Sequence, residues 1–177
     1  MRTWNSTQRQ PFVSFLAHSL MRLAVVLLTA GAIGVVVYTI SLEQIEANQC
    51  ENRLHRLYSA LEQYEIDRGM LPHVAFFPDD PKQDSDSLPT ALAAYVAGPE
   101  IYICPATPKL FQDTGLTYVW NVELNGKKLR DSKEPVWILT EINALSDQVP
   151  APHWRRYHIL YTDGSVRHSR TPPKSLN

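Results

Sequence analysis

The residues best equipped for chemistry lie near the C-terminus, where His153, His158 and His168 surround Asp163. Imidazole and carboxylate are the usual ligands of zinc and related ions. No two of these histidines have the spacing that stacks ligands on successive helical turns, although His158 and His168 stand on opposite arms of one expected hairpin and can face each other. Asp163-Gly164 reads first as a turn in which glycine supplies positive φ. The reading taken is no metal centre and no cofactor. Asp79, Asp80, Asp84 and Asp86 lie among Pro72, Pro78, Pro81 and Pro89, the composition of a solvated loop rather than a calcium site. Gly-x-Ser-x-Gly, a Cys-His pair of recognisable spacing and a phosphate loop are all missing from the sequence, so no catalytic residue and no enzyme is expected.

Cys50 and Cys104 are the two cysteines, too few for a disulfide scaffold or a four-thiolate metal site. A single bridge and two unrelated thiols both stay open on this evidence. Trp120 and Trp137 fall in apolar runs and are expected in the core. Trp154 stands beside Arg155 and Arg156, a candidate contact with another subunit or an anionic surface.

The elements that must position these groups begin with an apolar run. In 177 residues, 17 Lys and Arg face 18 Asp and Glu, for a net charge of -1. That balance offers nothing to nucleic acid. The charges are unevenly placed: the first 22 residues hold Arg2, Arg9 and Arg22 and no acid. Leu23 to Leu42 then gives twenty residues without a charge, enough at about 1.5 Å per residue to cross a hydrocarbon layer of about 30 Å. The run continues directly into Glu43, Gln44, Ile45 and Glu46, with no small-residue cleavage site, and is read as a retained membrane helix. Basic residues before it and acids after it place the N-terminus in the cytoplasm. The C-terminal bulk then lies outside the inner membrane, in an oxidising compartment where disulfides are permitted.

Beyond Leu42 no helix breaker occurs before Gly69 and Pro72, and Leu54, Leu57, Tyr58, Leu61 and Tyr64 follow the spacing of an amphipathic helix. The two segments are read as one helix whose outer half needs a partner on its apolar face. A short helix is expected over 88–96 and a buried extended segment over 101–105. Strand signals follow at 117–124, ahead of Asn125-Gly126, at 136–141, and at 158–161 and 165–168 around Thr162-Asp163-Gly164. The expected fold class is α+β, a long N-terminal helix against a small antiparallel sheet. The expected organisation is a basic N-terminus (1–22), a transmembrane helix (23–42), an extracytoplasmic domain (43–169) and a disordered tail (170–177).

This order of elements resembles the type IV pilins and the pseudopilins of type II secretion. The closer resemblance is to a bacterial pilin-like subfamily with Cys-x-Asn-x-Leu, Cys-Pro and a terminal Asp-Gly-x-Val turn. Here those motifs stand as Cys50-Glu51-Asn52-Arg53-Leu54, Cys104-Pro105 and Asp163-Gly164-Ser165-Val166. Between them, Ala60 to Tyr64, Leu71-Pro72, Tyr118 to Asn121 and Leu139-Thr140-Glu141 are similar to the intervening strands and turns. The front departs from the family, whose cleavage motif Gly-Phe-Thr-Leu-x-Glu is not present. Aligned on the apolar run, Arg22 stands where the family has Glu; counted back from Cys50, Ser14 and Ser19 take the Gly and Glu positions.

The resemblance implies a structural subunit of a pseudopilus or type IV pilus-like assembly, whose partners are membrane lipid and other pilin-like subunits. Leu23, Val25, Val26, Leu27 and Val36 belong to its expected assembly helix. It also favours a disulfide between Cys50 and Cys104, which by loop entropy alone contributes roughly 4 kcal/mol. A membrane-tethered periplasmic binding or sensing domain that never assembles is the alternative.

Overall fold

The computed structural model describes residues 10–146 and 148–174, with side-chain environments from His18 onward. Helix α1 runs from Gln10 to Arg68, 59 residues. Pro11 sits in its first turn, where a missing N–H costs nothing. It stops at Gly69, whose φ of 82° lets its N–H reach back to the Glu65 carbonyl at 2.7 Å, a left-handed cap natural to glycine.

Contacts divide the chain into two compact units, Met1–Leu42 and Glu43–Asn177. In the first, α1 has a stretch with a mean hydropathy of 2.4 and no buried residue. Thr29, Thr39 and Ser41 donate their hydroxyls to the carbonyls of Val26, Val36 and Val37 at 2.8–2.9 Å, so their polarity is satisfied within the helix. This helix is long and apolar enough to cross a membrane.

In the second unit α1 buries Cys50, Leu54, Leu57, Ala60 and Leu61, one stripe at three- and four-residue spacing. Strands β1 (Tyr118–Trp120), β2 (Trp137–Glu141), β3 (Tyr157–Tyr161) and β4 (Val166–Ser169) form an antiparallel sheet in chain order. The fold is α+β, as expected. Two cross-strand rows carry the helix-facing side of the sheet. One is apolar: Trp120 opposite Leu139, Leu139 opposite Leu160, Leu160 opposite Val166. The other is polar: Tyr118 opposite Glu141, and His158 opposite His168. Trp137, Tyr157 and Ile159 alternate to the reverse face, where they pack with Ala144 and Phe76.

Four local expectations change. Ile101 and Tyr102, expected to open an extended segment, instead close a 3-10 turn, Pro99–Tyr102. The strand expected over 117–124 ends at Trp120, because the Asn121 side chain accepts from Glu123 N at 3.1 Å and starts a 3-10 turn, Val122–Leu124. Asn125-Gly126 therefore closes no two-residue hairpin. The Asn125 side chain instead accepts from Trp120 Nε1 at 2.8 Å and bonds both the N–H and the carbonyl of Val74. The helix expected over 88–96 is the single turn Leu88–Ala91, capped by Ser87 Oγ on Thr90 N. At the C-terminus Pro173 is buried.

Candidate functional site

The polar row converges on Glu141, the last residue of β2, which is buried completely. Its carboxylate accepts the His158 backbone N–H at 2.8 and 3.1 Å, while Thr140 Oγ1 donates to the His158 carbonyl at 3.3 Å. Side chains of β2 thus finish the pairing with β3 and hold the carboxylate in the interior.

Four further groups reach the same point from different elements. α1 supplies Cys50, whose Sγ lies 3.2 Å from Tyr118 Oη and 3.5 Å from Glu141 Oε1. β3 supplies His158, whose Nδ1 stands 3.7 Å from Glu141 Oε1. The segment after the 3-10 turn Pro99–Tyr102 supplies Cys104. Its backbone N–H is fixed by Thr117 Oγ1 at 2.6 Å, Arg53 of α1 donates to the preceding Ile103 carbonyl, and Pro105 keeps Cys104 extended. The fourth is His153, whose Nε2 is 3.1 Å from Cys104 Sγ and 3.5 Å from Glu141 Oε1.

His153 is presented by a tight turn that sequence reasoning did not anticipate. Its N–H and carbonyl pair with Arg156 at 3.2 and 2.8 Å, and the central residues Trp154 and Arg155 have φ of 53° and 59°. This is the primed-turn geometry that favours Asn-Gly; a bulky Trp and Arg there carry strain, which concentrates at functional sites.

Electrostatically the cluster is strongly coupled. Burial alone would raise the Cys104 thiol, but hydrogen bonds from Cys50 and His153, with the His153 charge, bring it down to about 5. Burial would lower His153, yet its bonds to Cys104 and Glu141 lift it to about 9. The two shifts have one cause, the 3.1 Å contact between Cys104 Sγ and His153 Nε2. Burial pushes Glu141 up to about 7 against the pull of His153, and pushes Cys50 well above its ordinary range. Burial, then the charges of His153 and His168, holds His158 neutral, down to about 3. The rings of His153 and His158 stack at 4.1 Å, and His168 tilts over His158 at 4.4 Å while its Nε2 lies 3.5 Å from Glu51 Oε2.

The three histidines singled out in the sequence are therefore brought together, and His158 does face His168. Asp163 is not among them. It lies in the β3–β4 turn, accepting from Ser165 N at 3.0 Å and Arg167 Nη2 at 3.1 Å. The structure adds Glu141, Cys50 and Cys104, which the spacing of the histidines could not reveal. One signal was available: an acid ending the run VWILTE, in a strand whose neighbours are all apolar or hydroxylic.

The expected link between Cys50 and Cys104 is not formed: both are free and buried. Cys50 is engaged by Tyr118 and Glu141, and Cys104 by His153. Trp120 and Trp137 are core residues, while Trp154 is 51% exposed. Trp154 lines a groove of about 420 Å³ with His153, His158, His168, Arg156 and Arg170. Leu23, Val25, Val26, Leu27 and Val36 of the expected assembly helix are all exposed. Asp79 and Asp86 of the proline-rich loop are exposed, and Asp80 and Asp84 accept backbone N–H groups of the loop itself.

Chemically, two thiols, two imidazoles and a carboxylate in a closed interior can bind a soft or borderline cation or join as a disulfide. Cys104, whose thiol His153 draws down, is fully covered. No family model matches the chain, and neither a curated protein nor a solved structure matches it.

Proposed function

We propose that the chain is a single-pass membrane, pilin-like subunit, a structural component of a type II secretion pseudopilus or type IV pilus-like assembly. The observation that carries this reading is the change of surroundings along α1. From Leu23 to Leu42 the helix is uncharged with its large apolar side chains exposed, and from Cys50 to Leu61 the same helix supplies the buried stripe of an α+β unit. An exposed apolar helix of this length calls for lipid or for like helices. Packing among helices then does the work, with van der Waals contact between helices as its driving force. Arg2, Arg9 and Arg22 orient the N-terminus to the cytoplasm, which leaves residues 43–169 in the periplasm or beyond.

The test is isolation of the full chain from bacterial inner membranes with its neighbours crosslinked. Copies of the chain or other pilin-like subunits are expected to co-purify, and replacing Val25 or Val36 by Asp is expected to abolish that association. A chain that stays in the membrane and never crosslinks to a pilin-like protein would instead be a tethered periplasmic domain.

A further inference from the structure

The buried cluster contains more facing donor atoms than its hydrogen bonds explain. Glu141 Oε1 is the hub, 3.5 Å from Cys50 Sγ, 3.5 Å from His153 Nε2 and 3.7 Å from His158 Nδ1. Ligand atoms of Cys50, Glu141, His153 and His158 all lie within 4.8 Å of one another, and all four residues are buried. Ligands bound at about 2.0–2.3 Å around one tetrahedral ion stand about 3.3–3.8 Å apart, which matches the three hub separations. The second observation is an orphan. His158 is 2% exposed, and its Nδ1 makes no hydrogen bond although it is aimed at the carboxylate. At 3.7 Å that contact is too long for a hydrogen bond, and an unpaired polar nitrogen in the interior is costly.

We propose that this pocket holds one zinc-class divalent cation, bound by Cys50 Sγ, Glu141, His153 Nε2 and His158 Nδ1, with Cys104 beside His153 outside the ligand set. Sulfur and imidazole nitrogen with a single carboxylate select zinc-like ions over calcium or magnesium, which require oxygen shells. One thiolate and one carboxylate neutralise the two positive charges; the Cys50 proton leaves to solvent as the sulfur binds, and the proton on His153 Nε2 moves to Cys104 Sγ, 3.1 Å away, which frees that nitrogen for the ion. All ligands are covered, which is the arrangement of a structural site rather than a catalytic one. The ion ties α1 to β2 and to the stretch in which the 153–156 turn runs into β3, three regions far apart in sequence. It also gives the strained turn a purpose, since the turn sets His153 over the carboxylate. The site does not depend on whether the chain assembles.

The experiment uses the full chain in mild detergent, with thiols alkylated at lysis in one portion. Bound metal is measured by elemental analysis, and cobalt(II) is added to a chelator-stripped, reduced portion. About one zinc per chain is expected, with a near-ultraviolet thiolate-to-cobalt band that zinc abolishes. Cys50→Ser and His158→Gln are each expected to weaken zinc binding by at least about 10-fold, and Asp163→Asn to leave it unchanged. Should both ligand variants fail to fold, the wild-type cobalt spectrum still decides. No zinc and no thiolate band in a natively folded chain would overturn the proposal. So would a chain two hydrogens light from a Cys50–Cys104 bond, because that sulfur could not then be a ligand.

Discussion

Asn125 lies outside the strands yet joins three parts of the Glu43–Asn177 unit. Its carboxamide accepts from Trp120 Nε1 and Val74 N and donates to the Val74 carbonyl. Asn125→Ala leaves the indole N–H and both Val74 groups without these partners, at a cost of about 2–3 kcal/mol. Urea unfolding of the detergent-solubilised chain, followed by tryptophan fluorescence, is the measurement; an unchanged midpoint would mean water replaces the amide without loss. Asp163 carries a pH signature instead. Hydrogen bonding from the Ser165 hydroxyl holds its carboxyl below the usual range, with Arg167 assisting. A carboxyl depressed on folding stabilises fully above its unfolded pKa of about 3.9. That contribution disappears as pH falls through the lower native value. Asp163→Asn is therefore expected to lower the melting temperature at neutral pH, and the gap from wild type is expected to close in acid. A gap that stays constant across that window would show that the turn, not the charge, is responsible.

The elements show where sequence reading reaches and where it stops. The spacing of Leu54, Leu57 and Leu61 made the amphipathic half of α1 legible, and the β-branched runs made all four strands legible, because each signal is contained in a few neighbouring residues. The candidate site was only half legible. His158 and His168 could be placed opposite one another from the Asp163-Gly164 turn, but Glu141 joins them only through the pairing of β2 with β3, and Cys50 only through the face that α1 presents. Neither pairing register nor helix facing is written in local spacing. The 153–156 turn was least legible of all, since Trp154-Arg155 is an unlikely pair for its backbone. That mismatch yields a test: Trp154→Asn with Arg155→Gly relaxes two left-handed residues and is expected to raise stability by about 1–2 kcal/mol, the usual cost of that conformation. Thermal unfolding reads the change, and a loss of stability would mean the exposed Trp154 packs better than the strain costs. Gly164 sits at the opposite extreme. It combines φ of 79° with a virtual Cβ 2.9 Å from the Tyr58 ring. Gly164→Ala is accordingly expected to destabilise the unit by more than 1 kcal/mol, and to free the Tyr58 hydroxyl from the Thr162 carbonyl that it now contacts at 3.2 Å.

At the scale of the whole molecule, one helix carries two kinds of surface, an exposed apolar run and the buried stripe of an α+β unit. The α+β unit draws its stability from the apolar cross-strand row and the α1 stripe, none of which lies before Cys50. Residues 18–42 contribute no buried side chain, so the core of the α+β unit does not depend on them. That separation predicts independent failure of the two parts. Leu28→Arg with Val35→Arg places two charges near the middle of the apolar run, each costing about 2.5–3.5 kcal/mol in the centre of a membrane helix. The doubly substituted chain is expected to move from the alkaline-carbonate pellet to the supernatant. Its residues 43–174 are expected to keep the near-ultraviolet dichroism of the buried Trp120 and Trp137, since neither substituted side chain is buried. If the tryptophan signal collapsed with extraction, the apolar run would be part of the folding core and not a membrane segment. If the chain stayed in the pellet, association with neighbouring helices, rather than lipid burial, would be what holds it there.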